Sequence, residues 1–408
     1  MTAEPPVGEG LWRELARQVL ARLLRAYGSA RFDRCEDAVQ EALLDAHRQW
    51  PARFPDDPLG WLTVTARRRY ADHARSDARR RQRETRTASL HPVEPEVVQS
   101  DDSLLVLQLC CHPDLPRSGQ VALTLRAVAG LTTAQIATVY QVPEATIAQR
   151  ITRAKRRVSR LSRPLPPPGH AGERVTAVLD VLYVMFTEAH HTTTGAPPRD
   201  ADLATEAIHL TRLLLRSVPD STEIAGLLAL MLLTEARHPA RVGPDGLLTP
   251  LDEQDRTLWT KDLVDEGTAL LEHAVPGARP GPYLLQACIA ALHAQAPDTT
   301  TTDWDEILAL YRLLELVTGN ANPTITLNRI VAQAMISGHA VALAHIDALE
   351  ADHPRLPRLD VVRAHLLEQA GRTDDAANAY RRAIATTVNL AEQQHLRHRL
   401  RRLTSADG

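Results

Sequence analysis

The segment SRPLPPPGHAG, residues 162–172, divides the chain. Four of the five positions from 164 to 168 are proline: Pro164, Pro166, Pro167 and Pro168. Each lacks the amide donor that a helix needs, and its ring clashes with the preceding turn, so no helix continues through the run. The run is the clearest boundary in the chain and reads as a stiff spacer. Charge changes sign across it. Residues 1–172 hold 26 Lys and Arg against 19 Asp and Glu, whereas residues 173–408 hold 21 against 31. The overall formal charge of −3 hides this split. A basic half beside an acidic half points the basic half at a polyanion.

A chain of 408 residues has room for two or three domains. Ala, Leu and Arg dominate while aromatics make up only 4%, which favours helix over strand. No window rich in β-branched and aromatic residues alternates with period two. An all-α fold follows: two small helical domains, the second a helix-turn-helix, and then an α-helical repeat domain. The boundaries expected are 8–85, a linker at 86–102, 103–161, the proline spacer at 162–172, and 173–408.

Residues 127–158, AVAGLTTAQIATVYQVPEATIAQRITRAKRRV, carry the sharpest local signal. Thr132 or Thr133 caps a short helix with Ile136, Ala137 and Tyr140 inward. Gln141-Val142 turns the chain, and Pro143 suits the first position of the next helix. Ile147, Ile151 and Ala154 give that helix its buried stripe. Thr146, Gln149, Arg150, Arg153 and Arg157 lie on the other side. This is a helix-turn-helix with its second helix suited to the major groove. Seven basic residues and no acidic one lie between Arg150 and Arg163. Phosphate rewards such a cluster through counterion release.

Three helices are expected before this. Residues 11–27 have amphipathic spacing. A helix over about 33–50, with Asp33 as cap, carries Glu36, Asp37, Glu41 and Asp45. An acidic face in a basic domain suits a protein contact. A third helix from Pro58 places Trp61 and Tyr70 near Arg67, Arg68 and Arg69. Arginine interleaved with aromatics suits unpaired DNA, whose bases stack while its phosphates need cations.

Cys35, Cys110, Cys111 and Cys288 form no disulfide framework, so reduced thiols are expected. Cys110-Cys111-His112 invites a zinc reading, but adjacent cysteines do not readily share one tetrahedral ion and no second ligand pair follows. Buried helix-end thiols are the better reading. Glu188-Ala-His190-His191 lacks metalloprotease spacing. No nucleophile motif or phosphate loop appears, so no catalytic residue, metal or cofactor is expected. No signal peptide and no 18-residue apolar run occur, which fits a cytoplasmic protein without a membrane partner.

DRCEDAVQEALLDAHRQWP followed by GWLTVTARRR resembles region two of extracytoplasmic-function (ECF) sigma factors, members of the sigma-70 family. The helix-turn-helix at 127–158 resembles their region four, and HPDLPRSGQVALTLRAVAGLTTAQIA resembles the subgroup with a long C-terminal, tetratricopeptide-like extension. The resemblance spans nearly the whole chain. It implies a dissociable specificity subunit of bacterial RNA polymerase, with core polymerase (β′ clamp helices and β flap) and promoter DNA as partners. Asp37, Gln40 and Glu41, with Asp45 nearby, would face the clamp. Trp61, Arg67, Arg68 and Arg69 would meet the −10 element. Gln149, Thr152 and Arg153 would reach −35 base edges, with Thr146, Arg150 and Arg157 on phosphates. Ala148 departs from the Lys or Arg of many relatives, which leaves the −35 sequence open.

In the extension, LLEQAGRTDDAANAYRRAIA (366–385) resembles a tetratricopeptide unit. Gly371 would close one helix, and Ala376 and Ala379 would permit close packing. A similar shape surrounds Gly338. Folding back onto the basic regions, stabilising the polymerase complex and receiving a signal are all open to this extension. The alternative to a sigma factor is a helix-turn-helix regulator with a ligand- or partner-sensing helical domain.

Overall fold

The computed structural model describes residues 9–84, 103–140, 142–161, 172–190, 199–243, 247–320 and 322–406. Among them lie eighteen α-helices and no strand, with one isolated antiparallel bridge between Val242 and Leu248. The all-α expectation holds. The linker at 86–102 and most of the proline spacer lie outside the described residues. The chain forms two compact units, Met1–Glu188 with Thr205–Leu213, and Ala189–Ala204 with Leu214–Gly408.

The first unit opens with α1 (Glu9–Tyr27), α2 (Phe32–Gln49) and α3 (Pro58–Glu84). Their cores follow from helical spacing: Leu20, Leu23 and Leu24 on α1, and Phe32, Cys35 and Val39 on α2, are buried. The start of α2 differs from expectation. Arg31 occupies the cap, and Asp33 lies inside the first turn. A 3₁₀ turn at Ser29–Arg31 feeds directly into the helix, so the fully buried Phe32 already belongs to it. Aromatic rings join the three helices. Trp12 stacks on Trp50 at 4.7 Å, Trp61 meets Trp50 edge-on at 5.7 Å, and Tyr27 stacks on Tyr70 at 3.8 Å.

Four shorter helices follow: α4 (Ser103–Cys110), α5 (Arg117–Ala127), α6 (Thr133–Val139) and α7 (Glu144–Val158). Helices α5 and α6 both pack on α7. The unit is completed from beyond the proline run by α8 (Gly172–His190) and the middle turns of α9 (Arg199–Ser217). Helix α8 buries Val178, Leu182, Met185 and Phe186. Its Asp180 accepts from Arg117 Nη1 of α5 at 2.9 Å.

The second unit holds α10 (Thr222–Glu235), α11 (Lys261–Ala274), α12 (Pro282–Gln295), α13 (Trp304–Val317), α14 (Pro323–Ser337), α15 (His339–Asp352), α16 (Leu359–Gln369), α17 (Thr373–Thr386) and α18 (Leu390–Ala406). Successive helices pack on one another from α10 to α18. Glu223 of α10 accepts from the amides of Tyr283 and Leu284, at 3.1 and 3.0 Å, and so caps α12. Gly371 adopts φ +72° between α16 and α17, a conformation that suits glycine alone at low cost, and ends α16. Ala376 and Ala379 are fully buried and let α17 approach α16. The nearly buried Arg399 of α18 bridges Glu368 of α16 at 2.9 Å and also pairs with Glu253. Trp259 is buried just before α11, with the guanidinium carbons of Arg237 and Arg256 each 5.6 Å from its ring centroid.

Candidate nucleic-acid interface

Helix α6 starts with a reciprocal cap. The Thr132 hydroxyl accepts from the Gln135 amide at 3.2 Å, and the Gln135 side chain accepts from the Thr132 amide at 2.8 Å. This satisfies two amides that the first turn leaves without helical partners. Ile136 and Ala137 are buried as expected, and Tyr140 is half-buried. Gln141 lies outside the described residues. Pro143 stands one position earlier than expected. It is the cap of α7, with ψ 140°, and Glu144 opens the helix.

Ile147, Ile151, Ala154 and Val158 seat α7 in the unit. The opposite face is open. Gln149, Thr152, Arg153 and Arg157 are exposed, and Thr146 and Arg150 are half-buried beside them. The Thr152 hydroxyl donates to the Ala148 carbonyl at 2.8 Å, which anchors the side chain on its own helix. A polar, cationic face on a helix seated by an apolar stripe has the form required to enter a major groove.

Not all of the positive charge on α7 faces outward. Lys155 Nζ contacts the Glu36 carboxylate of α2, with Asp33 3.7 Å away. Arg126, at the end of α5, lies 3.7 Å from Glu36 on its other side. Glu36 is only 3% exposed. Lys155 and Arg126 together supply the countercharge that a buried carboxylate requires.

The acidic helix α2 is divided between two directions. Asp37 and Gln40 are exposed, and Leu44 between the acids is 56% exposed. Glu41 and Asp45 instead reach helix α3. Arg69 Nε donates to Asp45 Oδ2 at 2.9 Å and lies 3.8 Å from Glu41, while His73 Nε2 lies 2.8 Å from Glu41 Oε1. The hydrogen bond and charge of Asp45 raise the Arg69 pKa. Two polymerase-facing candidates and one DNA-facing candidate therefore meet each other. Arg68 is exposed, Arg67 half-buried, and Trp61 is partly sheltered by its edge contact with Trp50. Val64, one turn after Trp61, is 68% exposed.

Cys110 and Cys111 are buried at the end of α4. Burial pushes the Cys111 thiol up to about 12. Such a thiol stays protonated, which suits a packing residue. No group of three or more metal-ligating side chains occurs among the described residues. Of the acid–imidazole stretch, Glu188 is described at the end of α8, whereas the His190 side chain and His191 lie outside the described residues. No described helix is long and apolar enough to cross a membrane.

Two charged residues of the first three helices were not anticipated as buried. Glu36 occupies the same stripe as Phe32, Cys35 and Val39, and Arg17 of α1 the same stripe as Leu20, Ala21 and Leu24. Helical register alone would have found both, because each lies three or four residues from core positions on its own helix.

Comparison with known proteins agrees with this layout. Residues 109–158 match the family described as Sigma-70, region 4. Residues 174–275 match a family of unknown function, DUF6596. The chain is 38% identical over 400 residues to the uncharacterized protein R00370 of Rhizobium meliloti, covering 95% of this chain and 94% of that protein. It is 32% identical over 145 residues to the probable ECF RNA polymerase sigma factor SigI of Mycobacterium tuberculosis, covering 33% of this chain and 50% of that protein. No solved structure matches. The region 4 match thus falls on α5–α7 and the last residues of α4, and the chain belongs to one family with R00370 along almost its whole length.

Proposed function

We propose that this chain is an ECF-type sigma factor that directs bacterial core RNA polymerase to specific promoters and initiates transcription. The observation that carries the reading is helix α7: a buried stripe seats it, while Gln149, Thr152, Arg153 and Arg157 stand exposed on its outer face within the region 4 match. On this reading residues 103–161 hold −35 duplex. Gln149, Thr152 and Arg153 read base edges, and Thr146, Arg150 and Arg157 meet phosphates. Residues 8–85 act as region two. Asp37 and Gln40, with Leu44 beside them, dock on the β′ clamp helices, supported by Glu41 and Asp45 from within. Trp61, Arg67, Arg68 and Arg69 serve the opened −10 strand. Work of this kind belongs in the cytoplasm and is recognition, not bond chemistry.

Residues 173–408 form the regulatory extension on this reading, with tetratricopeptide-like helical pairs around Gly338 and Gly371. Its contacts with regions two and four would make regulation intrinsic to the chain. Footprinting on promoter DNA with and without core polymerase tests the proposal. Protection of two blocks that requires core polymerase is expected. Symmetric protection of one palindromic block by the chain alone would replace the sigma factor with a conventional helix-turn-helix regulator.

A further inference from the structure

Arg17 on α1 is 1% exposed, yet it carries a full charge. Its Nη1 meets the carboxylate of Glu206 on α9 and donates to the Val128 carbonyl, just after α5, at 3.3 Å. Its buried Nε has no hydrogen-bond partner. One side chain thus ties together the helical layer before the linker, the helix-turn-helix layer after it, and a helix from beyond the proline run. Glu206 is the countercharge; the Val128 carbonyl supplies only a dipole. A second charged joint lies between the same two layers, where Glu36 of α2 meets Lys155 of α7 and Arg126 of α5.

We propose that Glu206 is a latch: through Arg17 it holds the two DNA-reading layers in a closed arrangement, which must open when a promoter is engaged. The inference deepens the sigma-factor reading and rests on it for the purpose of opening. Size gives the reason. A compact unit of this length is about 40 Å across by the usual scaling of domain radius. Elements centred near −10 and −35 are about 25 base pairs apart, about 85 Å of duplex at 3.4 Å per pair. Helices α3 and α7 within one closed unit cannot occupy both.

The chemistry of the joint suits separation. A well-packed apolar contact of the same volume holds at least as tightly as a buried ion pair, but leaves greasy surfaces when parted. Arg17, Glu206, Glu36 and Lys155 each regain water when the layers part, so the opened surfaces are tolerated. The closed form does not hide α7, since Gln149 and Arg153 stay exposed. The latch therefore limits simultaneous engagement of two elements without blocking contact with one.

Pulsed electron resonance between spin labels on Gln49→Cys and Arg156→Cys tests this in the full chain. Both positions are exposed, on α2 and α7, and a Cys288→Ser background leaves only the buried cysteines. The parent should give one short distance, below about 40 Å. Glu206→Lys should move at least about half of the population to longer distances, since a lost buried countercharge shifts an equilibrium about a hundredfold or more. The exchange Arg17→Glu with Glu206→Arg should restore the short distance. An unchanged distribution in Glu206→Lys would overturn the latch. Should circular dichroism show Glu206→Lys to be unfolded, Glu206→Gln is read in its place, and an unchanged distribution there overturns it equally. The measurement needs no polymerase. A chain that opens on Glu206→Lys but never directs core polymerase would sink the sigma-factor reading and leave the latch standing.

Discussion

Arg69 donates from Nε to Asp45 Oδ2 at 2.9 Å, tying α3 to α2. The bond joins a residue proposed for −10 DNA with one proposed for polymerase. It sorts the polar side chains of this face of α2 by direction: Glu41 and Asp45 face α3, and Asp37 and Gln40 face solvent with Leu44. Arg69 is 40% exposed, so the pair works in a high dielectric. Asp45→Asn should then cost less than about 1 kcal/mol in urea unfolding. Asp37→Lys should leave unfolding unchanged and weaken binding to core polymerase about tenfold or more, measured by competition for fluorescent core. Equal losses from both changes would refute the division of the face.

On α7, base readers and phosphate contacts should separate by salt. Gln149→Ala should cost about 1–3 kcal/mol of discrimination at one −35 position and leave the salt slope unchanged. Arg157→Ala should weaken binding to all sequences alike and reduce the slope by about one. Fluorescence anisotropy over a range of salt concentrations distinguishes the two.

Glu36 sits buried between Lys155 and Arg126. Glu36→Ala leaves two cations facing a desolvated space and should cost about 3–5 kcal/mol. Glu36→Leu together with Lys155→Met removes charge from both sides and should recover most of that loss. A double variant as unstable as Glu36→Ala would show that shape, not charge, holds this joint.

These residues also mark how far the sequence could be read. The stripe of Ile147, Ile151 and Ala154 was legible because local period alone decides which face of α7 is buried. A threonine cap was legible, but only as Thr132 or Thr133; the reciprocal bonds with Gln135, three residues on, select Thr132. Pro143 was misplaced by one position because a proline fits both a cap and a first turn. The burial of Arg17 was legible from register, but its partner was not: Glu206 is 189 residues distant, across the proline run. The division of Asp37 from Asp45 was hidden for a similar reason, since it depends on where α3 crosses α2. The extension's helices were legible as a series, whereas the assignment of α8 to the first unit needed tertiary packing.

Gly226 of α10 faces the backbone of α12. A Cβ there would stand 2.6 Å from both the nitrogen and the Cα of Leu284, and backbone cannot swing aside. Gly226→Ala should therefore destabilise the second unit by about 1–3 kcal/mol and lower its Tm, despite alanine's better helix propensity. A raised Tm would show that α10 and α12 do not approach this closely.

His293, on α12, is held neutral. Burial first, then the charges of Arg237 and Arg256, lower its pKa from 6.5 to about 4. The unfolded chain takes up this proton as pH falls below about 6.5, and the folded chain does not until about 4. Stability is therefore fully present above 6.5 and falls with decreasing pH across that window, by about 1.4 kcal/mol per unit at most. His293→Phe should flatten that part of a stability–pH curve measured by urea unfolding. An unchanged slope would assign the acid sensitivity to other groups.

The proposed sigma factor confers promoter choice on polymerase. Run-off transcription with bacterial core polymerase on a genomic promoter library tests it most directly, comparing the full chain with Asp37→Lys and Arg153→Ala. Specific transcripts are expected from the parent, lost with Asp37→Lys and weakened or redirected with Arg153→Ala. No core-dependent transcript from the parent, or the same transcripts from all three proteins, would contradict it.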